Sequence, residues 1–169
     1  MEKFKFEVRP LGISKGKYPG QFTAEVEKII EKWLARYPGK VLHLFSGISK
    51  IGNVRVDFDN KNATINGTVE NYLRTSAENF EWVILDPPYL VNSSELGTGF
   101  SIKRPFSCSI PSRRLFEAWA VKHTKRILYL DVCCPLFHGF KREKVYFLLP
   151  GGYRNLRVLT ISKKRKAQF

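Results

Sequence analysis

The residues best suited to chemistry are Asp86, Pro87, Pro88 and Tyr89, which stand consecutively after the apolar run Trp82-Val83-Ile84-Leu85. The two prolines fix the backbone and remove N–H donors, so that carbonyls remain to accept hydrogen bonds. Asp86 adds a carboxylate acceptor, and Tyr89 adds a ring that can stack on a planar partner. Together they suit an exocyclic amine on a flat heterocycle: the acceptors orient its lone pair while the ring holds its plane. Such chemistry requires no metal, nucleophilic cysteine or covalent intermediate. Cys133 and Cys134, with His138 nearby, lack the paired spacing and fourth partner of a metal site. They are expected to be buried strand-end residues. With Cys108 they form no disulfide framework, which fits a reducing compartment.

An open parallel sheet binds ligands beyond the carboxyl ends of its strands, so the Asp86 segment needs such a sheet around it. Thr23 to Tyr37 repeats Val26, Ile29, Ile30, Trp33, Leu34 and Tyr37 at helical spacing, with Thr23 as N-cap and Pro38-Gly39 as terminator. Ser112 to Lys122 reads as a second helix with Leu115, Phe116 and Trp119 on its apolar side. Short apolar runs read as strands: Phe4–Val8, Val41–Phe45, Val54–Phe58, Ala63–Ile65, Trp82–Leu85, Arg126–Val132, Lys144–Leu149 and Arg157–Ser162. Near-continuous apolar strands alternating with helices predict an α/β sandwich with a mainly parallel sheet covered on both faces. The segment from Pro150 to Asn155 predicts a C-terminal hairpin that adds one antiparallel strand at an edge. Between Gly47 and Val54 there is too little chain for a crossover helix, which normally needs about a dozen residues or more. A helix-free loop turned by Gly52-Asn53 is expected there. The length suits one domain, residues 1–169.

The chain carries 29 Lys plus Arg against 15 Asp plus Glu, a net charge of +14. That excess favours capture of polyanions, with nucleic acid the first partner and an anionic membrane surface the rival. No apolar run is long enough to span a bilayer, and a soluble, cytoplasmic protein without membrane contact is expected. Residues 90–112 form a long stretch of weak periodicity directly after Tyr89, a length at which loops are often functional. Lys103 and Arg104 in it, with Arg113 and Arg114, make a basic cluster suited to phosphates. The tail 163–169 is also basic.

These motifs resemble the amino-methyltransferases that act on adenine N6 or cytosine N4 and are built on the Rossmann-like S-adenosylmethionine fold. The resemblance rests on Asp86 to Tyr89 and on His43-Leu44-Phe45-Ser46-Gly47-Ile48-Ser49. The family's first strand ends in an acid followed by x-Phe-x-Gly-x-Gly; Phe45 and Gly47 match, while His43 replaces the acid and Ser49 the second glycine. The resemblance implies that His43, Phe45, Ser46 and Gly47 wrap the methionine part of S-adenosylmethionine. It implies that Asp57, with Asp59 as second candidate, holds the ribose hydroxyls. Asn66 or Thr68 would stand in for an acid that contacts the cofactor's adenine. Residues 1–22 would cover the methionine end, with Phe22 and Gln21 as the candidate contacts. Asp86, Pro87, Pro88 and Tyr89 would be catalytic, on adenine N6 in DNA first and on cytosine N4 or an RNA base amine next. A chain this short leaves three expectations for recognition: weak sequence specificity read by residues 90–112, a separate subunit that supplies it, or an RNA substrate read by its shape.

Overall fold

A computed structural model describes residues 5–12, 22–58, 60, 62–87, 110–151 and 156–165. Helix α1 (Ala24–Arg36) begins where the Thr23 hydroxyl accepts from the Val26 amide, and it ends at Tyr37. Its stripe of Val26, Ile29, Ile30 and Trp33 is buried. Each such side chain contributes roughly 1.5–3 kcal/mol by leaving water. The strands are β1 (Lys5–Gly12), β2 (Val41–Leu44), β3 (Val54–Asp57), β4 (Ile65–Asn66), β5 (Phe80–Leu85), β6 (Thr124–Asp131), β7 (Phe140–Pro150) and β8 (Arg157–Lys164). Two more helices, α2 (Val69–Thr75) and α3 (Ile110–His123), complete the described elements.

All the strands belong to one sheet in the order β1-β7-β8-β6-β5-β2-β3-β4. Only β8 runs antiparallel, to β6 and β7; every other pairing is parallel. Alternation along the strands divides the core in two. Val41, Trp82, Ile84, Leu128 and Leu159 pack beneath α1 on one face. Leu42, Leu44, Val83, Leu85 and Ile127 pack beneath α2 and α3 on the other. This is the expected Rossmann-like α/β sandwich, a mainly parallel sheet covered on both faces.

Three local expectations need correction. The antiparallel strand is not at an edge: β8 lies between β6 and β7, and β1 forms the edge beyond β7. A hairpin sequence specifies that β7 and β8 pair, but not which of them meets the rest of the sheet. Helix α2 was not anticipated, although Thr68 caps it and Val69, Tyr72 and Leu73 bury its inner side. Its apolar repeat is only one turn long, too short to stand out by period. Cys133 is exposed and Cys134 is only partly buried, because both lie in the loop after β6 rather than in the strand.

The β2–β3 connection is helix-free, as its length requires, yet the strands are parallel. Its backbone is held by its own polar groups: Ser49 N donates to Ser46 O, and Ile51 N to Ser49 Oγ. Asn53 closes the loop onto β2, its side-chain oxygen accepting from Val41 N at 2.8 Å and its amide donating to Val41 O. Gly52 turns the chain at φ +110°, and a Cβ there would lie 3.2 Å from that of His43.

Candidate active site at the carboxyl edge of the sheet

After β2 the chain moves outward to β3 and β4, then returns on the other side of β2 to form β5. The reversal makes the carboxyl ends of β2 and β5 the point where the strand order switches direction, which is where open α/β sheets form their ligand crevice. The segment Phe45-Ser46-Gly47 follows β2, and Asp86-Pro87 follows β5. The two strands pair in register up to Leu44 opposite Leu85, so the two segments leave the sheet side by side.

Phe45 and Gly47 both have left-handed backbone, with φ of 59° and 51°. For a phenylalanine that conformation costs on the order of 1–3 kcal/mol and persists only where neighbours impose it. Here Ser46 N donates to Val56 O, and Gly47 N donates to Asp57 Oδ2 at 2.8 Å. The carboxylate of Asp57, at the end of β3, thus ties the turn after β2 to its neighbouring strand. Ser46 is buried, and its hydroxyl has no hydrogen-bond partner among the described residues. An orphan hydroxyl inside this turn is a group suited to a ligand.

His43 does not lie on an open surface. It is wholly buried, its ring stacked on Phe22 at 5.5 Å and its Nδ1 3.1 Å from the Ile51 carbonyl. Burial pushes its pKa down to about 4 despite that carbonyl, so the ring is neutral and Nδ1–H donates. Phe22 thus covers one face of the His43 ring, and the His43 Nε2 is buried without a hydrogen-bond partner among the described residues. Asn66 is exposed at the end of β4, beside a groove of about 380 Å³ that Gly67, Thr68 and Asn71 also line. Thr68 is committed to capping α2, its hydroxyl accepting from Asn71 N.

Asp86 is mostly buried and faces a partner that sequence reasoning missed. Arg157 Nη2 lies 3.4 Å from Asp86 Oδ1. Arg157 opens β8, and only the antiparallel return of that strand brings it to this edge. The same edge carries a buried polar pair at the end of β6: Tyr129 Oη donates to Asp131 Oδ2, while Asp131 Oδ1 accepts from Val132 N.

The basic cluster is divided. Arg113 is engaged within the chain, donating to Glu117 Oε1 and to Leu136 O, which braces α3 against the loop before β7. Arg114 is exposed. Gln21, Pro88, Tyr89, Lys103, Arg104, Cys108 and Asp59 lie outside the described residues, as do most of the 1–22 and 90–112 segments. Among the described residues no group of His, Cys, Asp and Glu is arranged to hold a metal ion, and no helix is long and apolar enough to cross a membrane.

No protein-family model matches the chain, and no curated protein matches it. Among solved structures it is similar to the crystal structure of TrmN from Thermus thermophilus, at 13% identity and a TM-score of 0.48, over 96% of this chain and 72% of that one. A likeness this slight says nothing of substrate, and the Rossmann-like sandwich rests on the strand order and directions themselves.

Proposed function

We propose that the chain is an S-adenosylmethionine-dependent methyltransferase acting on an exocyclic amine of a nucleobase. Adenine N6 in DNA is the first substrate, with cytosine N4 or an RNA base amine next. The observation that carries this reading is the adjacency of Asp86-Pro87 and Phe45-Ser46-Gly47 at the ends of paired strands β5 and β2. An acceptor pair for an amine and a strained, main-chain-rich turn suited to a small ligand thus share one crevice.

The residues at the turn fit the cofactor: Ser46, Gly47, Asp57 and Asn66 would hold it, the buried Ser46 hydroxyl being a polar group without a partner among the described residues. When bound, it supplies the electrophilic methyl. Asp86 and the Pro87 carbonyl accept hydrogen bonds from the target amine and aim its lone pair, and Tyr89 stacks on the base. A base held in a helical stack is out of reach, so it flips out or comes from a single strand or loop. The rate gain comes first from positioning and second from the Asp86 charge beside the developing ammonium. Arg157 is a positioning residue that holds the Asp86 carboxylate. Base sequence is read by the 90–112 segment or by a partner subunit.

Burial of His43 at the position of the family's acid favours a second reading, a nucleic-acid-binding domain that has lost its cofactor. Incubation with labelled S-adenosylmethionine and separate DNA and RNA pools tests the first reading, and transfer to either pool supports it. Absence of transfer, together with no thermal shift from S-adenosylmethionine or S-adenosylhomocysteine, would establish the second.

A further inference from the structure

Among the described residues, a group of cations stands at the end of the sheet opposite Asp86. On the face that α1 covers, Arg126 of β6 stands in register with Lys163 of β8, and Lys163 with Lys141 of β7. Adjacent strands are about 4.8 Å apart, so these charges lie side by side where like charges oppose pairing. One strand further out, Lys144 of β7 is opposite Lys5 of β1. The last turns of α1 bring Lys32 and Arg36 to the same corner, where they line a groove of about 380 Å³ with Lys5, Lys144 and Glu143.

The carboxylates nearby are already engaged. Glu81 pairs with Lys125 and Arg126, Glu143 with Arg126, and Glu7 with Lys144 and Arg9. Among the described residues, Lys5, Lys32, Arg36 and Lys163 have no carboxylate within ion-pair distance. Arg36 lies over the rings of Trp33 and Tyr37, at 5.5 and 5.3 Å, which steadies its guanidinium without neutralising it.

We propose that this shelf docks the phosphate backbone of a nucleic acid at a place remote from the Asp86 crevice. The shelf crosses four strands, about 14 Å, and holds more unneutralised charge than one phosphate can match. A backbone with a charge about every 3.4 Å per strand matches it. Arg157 opens β8, and Lys163 lies about 20 Å along it. A nucleic acid seated on the shelf must therefore reach about six nucleotides further to present a base at Asp86. The choice of nucleic acid over another polyanion rests on the reading proposed above.

The test is a fluorescence-anisotropy salt titration on a labelled duplex and a labelled hairpin RNA, each of about 30 nucleotides per strand or chain, long enough to span shelf and crevice. Wild type is compared with Lys32→Gln/Lys163→Gln and with Arg74→Gln/Lys122→Gln, which removes equal charge from the opposite face. On the duplex the shelf variant should flatten the slope of log K against log salt by up to about 1.8, at about 0.9 per lost phosphate contact. The control should change it by less than half as much. Equal slopes for the two variants would overturn the proposal. So would a salt-insensitive wild type, or a shelf variant that loses binding only to phosphatidylserine vesicles or polyglutamate. The readout uses neither cofactor nor methyl transfer. A slope difference with neither transfer nor a cofactor thermal shift would thus keep the shelf and remove the enzyme reading.

Discussion

Arg157 and Asp86 form an ion pair of 3.4 Å across the end of strand β6, with side chains 17% and 9% exposed. Removing one member of a mostly buried pair takes away a charge that orients the other. Asp86→Ala is expected to abolish methyl transfer while cofactor affinity changes little, since the turn after β2 is untouched. Arg157→Gln should lower kcat at least tenfold with cofactor affinity again unchanged, and Arg157→Lys should recover part of the loss. A tritium-transfer assay beside calorimetry checks both. Full turnover by Asp86→Ala would refute its catalytic role. An Arg157→Lys variant as slow as Arg157→Gln would refute a role carried by charge alone.

Asp57→Ala removes the acceptor that holds Gly47 N–H. Hydrogen bonds to a charged group are worth about 1.5–3 kcal/mol, so S-adenosylmethionine should bind about tenfold or more weakly. The rate at saturating cofactor should fall less. Unchanged affinity by calorimetry would detach Asp57 from the cofactor site.

His43 gives a pH dependence with a definite sign. Burial lowers its pKa in the fold from 6.5 to about 4, so between those values the unfolded chain binds the proton more readily. The stability contributed by the neutral ring is present above pH 6.5 and is lost as pH falls toward 4. At about 1.4 kcal/mol per unit, that is on the order of 3 kcal/mol. Denaturant midpoints measured from pH 7 to pH 4 should fall accordingly, and less steeply in His43→Gln. Parallel pH curves for the two proteins would contradict the assignment.

Gly39→Ala should destabilise the fold without touching the crevice. Its new Cβ would lie 2.4 Å from the Cβ of Glu81, an atom that cannot swing aside. The overlap should cost about 1–3 kcal/mol. Chemical denaturation checks the loss, and an unshifted midpoint would mean that the turn after α1 yields freely.

The sequence by itself determined the features whose causes are local. The buried stripe of α1, its Thr23 cap, the helix-free chain between Gly47 and Val54 and the apolar strand ending at Asp86 all follow from spacing, capping and length over a few residues. Only the tertiary structure decided how these pieces meet. That Gly47 is held by Asp57, that Phe22 covers His43 and that Arg157 reaches Asp86 from 71 residues away depend on strand order and register. So does the row of Arg126, Lys163 and Lys141. An apolar run specifies that a strand forms and which face it buries, but any such strand can pair with several neighbours. The choice among them comes from the summed burial of both faces, a property of the whole sheet rather than of any segment.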